Sequence, residues 1–175
     1  LPNLLEISDT LPNDLCLLTT PREYRNIFND HSPLRSDVIT SLNNLLQLLE
    51  SPDVDPLIRK TTLMQINVLC SNWEITGELC RAGASYLILQ ALENSLRQSS
   101  CLDYSDSAVP VIGILNKVLL YDSSVRCELA ETPNIYVLLL RALMMYHNDI
   151  QVRQDATMCL FQLLFASQII VTETS

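Results

Sequence analysis

Residues 122–166, DSSVRCELAETPNIYVLLLRALMMYHNDIQVRQDATMCLFQLLFA, decide the fold class. Asp122 and Ser123 are small polar residues of the kind that cap helix N-termini, and a short helix can follow them through Ala130. Thr132 and Pro133 restart the pattern: a capping side chain, then a proline whose missing N–H costs nothing in a first turn, then IYVLLLRALMMY. Asn148 with Gln151 forms a capping box for a last helix reaching about Ala166. Met158, Cys159, Leu160, Phe161, Leu163 and Leu164 make that helix apolar on nearly every face. The stretch therefore reads as three consecutive helices, short, medium and long.

The same succession precedes it twice. Ser71 and Glu74 suit a capping box before a short helix that ends at Gly83. ASYLILQALENSL (84–96) then supplies a Leu-rich helix, RQSSCLDYSD (97–106) a loop, and VPVIGILNKVLLY (109–121) an almost wholly apolar helix. Further back, Thr20, Pro21 and Glu23 open a helix, and Ser36 with Asp37 precede VITSLNNLLQLLE (38–50). Its Leu42, Leu45, Leu46 and Leu49 share one face. Asp55 and Pro56 start a helix whose Leu57, Ile58, Met64, Ile66, Val68 and Leu69 spread round the circumference and call for neighbours on several sides. The middle helices begin near residues 37, 84 and 135, at intervals of 47 and 51 residues. Such spacing indicates stacked helical repeats, and GASYLILQAL (83–92) overlies NIYVLLLRAL (134–143) as IRKTTLMQINVL (58–69) overlies VRQDATMCLFQL (152–163). An irregular helical bundle is the alternative.

Composition agrees with an all-α chain. Apolar residues make up 48% of the 175 residues and charged residues 18%, enough to build a core. Three glycines are too few for the turns of a sandwich or barrel, or for a glycine-rich phosphate loop. A net charge of −9 repels phosphate backbones and anionic lipid, so neither nucleic acid nor a membrane is the expected partner. The apolar run from Thr157 to Val171 is interrupted by Gln162, Ser167 and Gln168, and it falls short of a membrane-spanning length. The chain opens on Leu1, without Met and without a signal-like pattern, which suggests an internal start.

Cys16, Cys70, Cys80, Cys101, Cys127 and Cys159 show no CxxC and no clustering, so reduced thiols and a cytoplasmic setting are expected. His31 and His147 lack a second ligand at metal spacing. His147 with Asp149 could orient a nucleophile, but no nucleophile turn accompanies them. Asp53, Asp55, Asp106, Asp122 and Asp149 all fall at inferred helix starts, where capping explains them. No cofactor, metal or catalytic set is expected. Trp73 should pack between repeats, and Leu46, Leu69, Leu89, Leu115, Leu139 and Leu160 should be interior.

CRAGASYLILQAL (80–92) resembles the junction of the first two helices of an armadillo repeat, and VRQDATMCLFQLL (152–164) resembles the third; HEAT-like repeats are similar. The resemblance runs from about Pro21 to Ala166. It departs in the second unit, at Pro110 and the 97–106 loop. It implies a right-handed superhelical solenoid of about three repeats, 21–72, 73–121 and 122–166, with 1–20 an extension or cap and 167–175 a tail. It also implies that the third helices line a concave groove for a peptide or partner helix. In importin-type members an Asn recurs on each third helix and holds the ligand backbone; Val68 and Gln162 occupy the aligned places here, with Asn67 and Asn116 beside the row. Arg59, Lys60, Lys117 and Arg153 add a sparse basic line. The candidate contacts with a protein partner are therefore Arg59, Lys60, Asn67, Asn116, Lys117, Arg153 and Gln162. The expected function is a protein-interaction scaffold; a structural spacer with binding at the repeat ends, or an all-helical enzyme domain, are the alternatives.

Overall fold

The structure is a computed structural model that describes residues 34–51, 53–98 and 107–173. The helix start at Thr20, the extension 1–20, His31, Cys16, Cys101 and Asp106 lie outside these residues. The chain divides at Arg35, and the residues from Ser36 on form one compact unit. Eight helices and no strand occur among the described residues: α1 (Leu34–Glu50), α2 (Pro56–Leu69), α3 (Trp73–Arg81), α4 (Ser85–Gln98), α5 (Ala108–Tyr121), α6 (Ser123–Ala130), α7 (Pro133–Met145) and α8 (Ile150–Glu173).

Helix ends follow the polar residues of the sequence, with several shifts of register. Asp55 accepts a hydrogen bond from Leu57 N–H at 2.8 Å, with Pro56 in the first turn as expected. Asp122 accepts from Ser124 N–H at 2.8 Å and caps α6. The cap of α3 is Asn72, not Ser71: Asn72 accepts from Glu74 N–H at 2.9 Å, while Ser71 N–H still closes the preceding turn on Val68 C=O. Likewise Asp149, not Asn148, accepts from Val152 N–H at 3.0 Å. A charged acceptor at the end of the helix dipole outcompetes the neutral amide beside it. Thr132 stands at the cap of α7, but its hydroxyl donates back to Glu128 C=O at 3.3 Å. Ser36 lies within α1, which starts two residues earlier, and α8 runs on past Ala166 to Glu173.

Gly83 closes α3 as its type requires. Its φ of +69° places it in the left-handed region, its N–H bonds Cys80 C=O at 3.0 Å and Ala84 N–H bonds Leu79 C=O at 3.2 Å. That pair of bonds is the Schellman arrangement, and it turns the chain sharply into α4.

The core is organised around α5, which packs against α2, α3, α4, α6 and α8. Val111, Ile112, Ile114, Leu115 and Leu119 are fully buried along it. Pro110 fits because it falls in the first turn, where backbone N–H groups have no helical partner. Helices of corresponding place touch: α2 with α5, α5 with α8, and α4 with α7. Leu46, Leu115 and Leu139 are interior as expected. Leu69, Leu89 and Leu160 are only half-buried. Leu89 and Leu160 each follow a buried residue, Ile88 or Cys159, and one step along a helix turns a side chain by about 100°, away from the core. The larger difference is in α2, which buries Thr62, Leu63 and Ile66 but leaves Leu57 70% and Val68 72% exposed.

Trp73 is half-exposed and stacks on Tyr121 with ring centroids 5.9 Å apart. Tyr121 also lies across Gly77, where a Cβ would fall 2.3 Å from its hydroxyl oxygen. No single described helix is long and apolar enough to cross a membrane; α5 and α6 together are, but the chain bends by 118° between them.

Cys70, Cys80, Cys127 and Cys159 are free thiols. Burial pushes Cys80 from 9.0 up to about 12, helped by the nearby Asp122 carboxylate, and burial raises Cys159 as well, with Asp155 adding to it.

Leu115→Ala should cost ~2 to 5 kcal/mol in urea unfolding, against a far smaller loss for Val68→Ala. Gly77→Ala should destabilise by roughly 1 to 3 kcal/mol because Tyr121 must move, and Tyr121→Phe in the same chain should return part of the loss. The thiols bind protons more tightly folded than unfolded, so stability is complete below the unfolded thiol value and falls as pH rises from 9.0 towards about 12. Urea midpoints across that range should decline less steeply in Cys80→Ala.

Candidate protein-binding surface

Along α2, α5 and α8 the structure brings four of the seven candidate residues together, paired with one another or with a neighbouring carboxylate. Lys117 on α5 donates from Nζ to Asn67 Oδ1 at 2.8 Å and to Asn67 C=O at 2.6 Å, joining α5 to α2. Gly113 lets this happen, since a Cβ there would stand 2.8 Å from Asn67 Oδ1. One residue away, Asn116 faces α8. It donates from Nδ2 to Asp155 Oδ1 at 2.9 Å and accepts from Gln162 Nε2 at 3.1 Å. Gln151 holds the other oxygen of Asp155 at 2.9 Å. Gln162 is 6% exposed, and its Oε1 accepts no hydrogen bond.

The basic line does not assemble as one feature. Arg59 donates from Nη2 to Ser51 C=O at 3.0 Å, tying α2 to the end of α1. Lys60 is half-buried and engaged within the fold. Arg153 is exposed at the start of α8. Val68, on the row aligned with Gln162, is exposed where Gln162 is buried.

Two features escaped the sequence reading. Asp155 anchors the α5–α8 pairing, and an acid four residues from Gln151 on a helix was the available signal. The second is apolar. Met64 and Val68 on α2, and Met158, Phe161, Leu164 and Phe165 on α8, are between 43% and 72% exposed. Phe161 stacks on Phe165 at 6.5 Å. On α7, Val137, Leu140 and Met144 are also exposed. Apolar periodicity all round a helix was read as a demand for neighbours, and it does not say on which side they stand.

Among the described residues no group of three or more His, Cys, Asp or Glu could hold a metal ion. His147 is exposed and its Nδ1 lies 3.3 Å from Met144 C=O, while Asp149 is committed to capping α8, so the two do not form a dyad. The polar cluster of α5 and α8 holds one carboxylate and amides; it has hydrogen-bonding capacity but no base paired with a nucleophile.

Over 164 residues the chain is 40% identical to the protein rotatin homolog of Drosophila melanogaster, a match covering 93% of this chain. The chain is related to a segment of rotatin. It spans 8% of the length of that rotatin homolog. No protein-family model matches the chain, and no solved structure matches it.

Asn116→Ala leaves Asp155 and the Gln162 amide short of a partner and should cost roughly 1 to 3 kcal/mol. A double-mutant cycle of Asn116→Ala with Asp155→Ala should give a coupling of ~0.5 to 3 kcal/mol in urea unfolding. Strict additivity would show that the pair does not hold α5 to α8.

Proposed function

We propose that this chain is a section of a longer armadillo-like right-handed solenoid and acts as a protein-interaction scaffold. Its resemblance to rotatin implies work in centriole and cilium assembly, and a place in the cytoplasm at the centrosome or ciliary basal body. The observation that carries the reading is the side-by-side tie of α2, α5 and α8 through Lys117–Asn67 and Asn116–Asp155, with large apolar side chains left exposed on the outer helices of that row. Repeat proteins generate extended binding surfaces from such rows. The relationship to rotatin supports a non-enzymatic role.

On this reading Asn67, Asn116, Lys117 and Gln162 act mainly as the ties that keep the row in register, and contact with a partner falls to Arg153 and to the exposed Met64, Val68 and Met158. A spacer is the second reading. It is favoured by the internal bonds of Asn67, Asn116, Lys117, Gln162 and Arg59, which leave few polar groups of the row for a ligand.

Crosslinking in cells with partner identification separates the two. Arg153→Glu combined with Met64→Glu should abolish the specific crosslinks without lowering the melting temperature, since both side chains are exposed. Tyr86→Glu on α4, also exposed, should leave the crosslinks intact. Equal recovery from both variants would favour the spacer.

A further inference from the structure

The middle helices α4 and α7, related by 51 residues in the sequence overlay, differ in cover at equivalent positions. Leu92 on α4 is fully buried, and its counterpart Leu143 on α7 is half-buried. Leu89 is half-buried and Leu140 is 52% exposed; Glu93 is half-buried and Met144 is 79% exposed. α4 has α7 beside it. No described helix stands in the corresponding place beside α7.

The long helices tell the same story by geometry. On α5, Lys117 points to α2 and Asn116, one residue back and about 100° round the helix, points to α8. On α8 the side that faces α5 carries Asp155 and Gln162. One residue back from Gln162 is Phe161, so Phe161 stands where α5 presents its α8-facing side. It is 55% exposed, with Leu164 at 54% on the next turn. Leu140, Met144, Phe161 and Leu164 thus occupy the positions at which α4 and α5 meet the unit after them. Their chemistry is Leu, Met and Phe throughout, which suits a dry helix face and offers nothing to an extended peptide backbone.

We propose that this face of α7 and α8 docks one further helical unit of the same kind, contributed by the polypeptide beyond Ser175. The occupant follows from continuity with the α4–α7 and α5–α8 interfaces; the rotatin homolog, of which this chain spans 8%, is long enough to hold further units. The proposal rests on the solenoid reading above but uses no partner protein, so loss of partner capture leaves it standing.

Methionine oxidation by hydrogen peroxide, read by peptide mass spectrometry, tests it. The 175-residue chain is compared with the same polypeptide continued in its natural sequence by about 50 residues, one repeat period. Met144 should oxidise readily in the shorter form and several-fold more slowly in the longer one. Met64, 51% exposed on α2, should oxidise alike in both. Phe161→Glu in the longer form should restore the reactivity of Met144 with the helical signal unchanged. Equal reactivity of Met144 in the two forms would overturn the proposal, as would a natural polypeptide ending at Ser175. Protection that grows with concentration in the shorter form alone would also overturn it, by making a second copy of the chain the occupant.

Discussion

Everything described here depends on the near-complete burial of α5. A helix that is apolar all round has no stable place at a surface, and this one is enclosed by α2, α3, α4, α6 and α8. The requirement propagates outward. Because α5 must be covered on each side, the helices that cover it are held in a row on both flanks, and each covering helix needs only one apolar stripe of its own. Most charged residues among the described ones are left to helix ends and outer faces, while Lys117 and Asp155 are engaged between helices. Close approach is part of the same enclosure: Gly113 admits Asn67 and Gly77 admits Tyr121, each at a distance no Cβ would allow.

Enclosure alone does not fix register, because leucine faces slide over one another with little penalty. The polar residues between the long helices supply what the apolar contacts lack. Lys117 must reach two acceptors on Asn67, and Asn116 must meet Asp155 and Gln162 together, so a displacement of one turn would leave a charged or amide group half-buried and unpaired. Such groups add little net stability when satisfied and subtract much when not. Gln162 carries part of that cost already, with a buried Oε1 that accepts no bond.

This explains which parts of the fold were legible in the sequence. Helices announced by a proline or an aspartate at the start, α2 and α6, begin where their caps sit, and Gly83 ends α3 because its geometry admits no other residue cheaply. Where two capping residues stand side by side, residue type decides only if one is charged, as at Asn148–Asp149; at Ser71–Asn72 both are neutral, and the backbone of the preceding turn decides. Burial was legible for helices enclosed on all sides and illegible for those at the edge. α5, α2 and α8 are apolar round most of their circumference alike, but among the described residues only α5 has neighbours on both flanks. The pattern of a sequence records that a face is apolar; whether a helix of the same unit, of another unit or of another molecule covers it is settled by long-range packing.

The same limit governs the candidate site. Armadillo-like sequences carry polar residues on their third helices, and a recurrent amide there serves equally well as a tie between helices or as a hook for a ligand backbone. The hydrogen bonds distinguish the two uses, because an amide whose nitrogen and oxygen are both engaged within the protein is oriented by those partners and keeps only one N–H and one lone pair. Asn116 is in that state, donating to Asp155 and accepting from Gln162. With polar groups turned inward to hold the row and Met64, Val68 and Met158 exposed, the surface that would be left for a partner offers shape and apolar area more than backbone hydrogen-bonding groups. On the proposed scaffold reading, the fitting partner is therefore an amphipathic helix laid against the row, in place of the extended peptide that an asparagine ladder would hold.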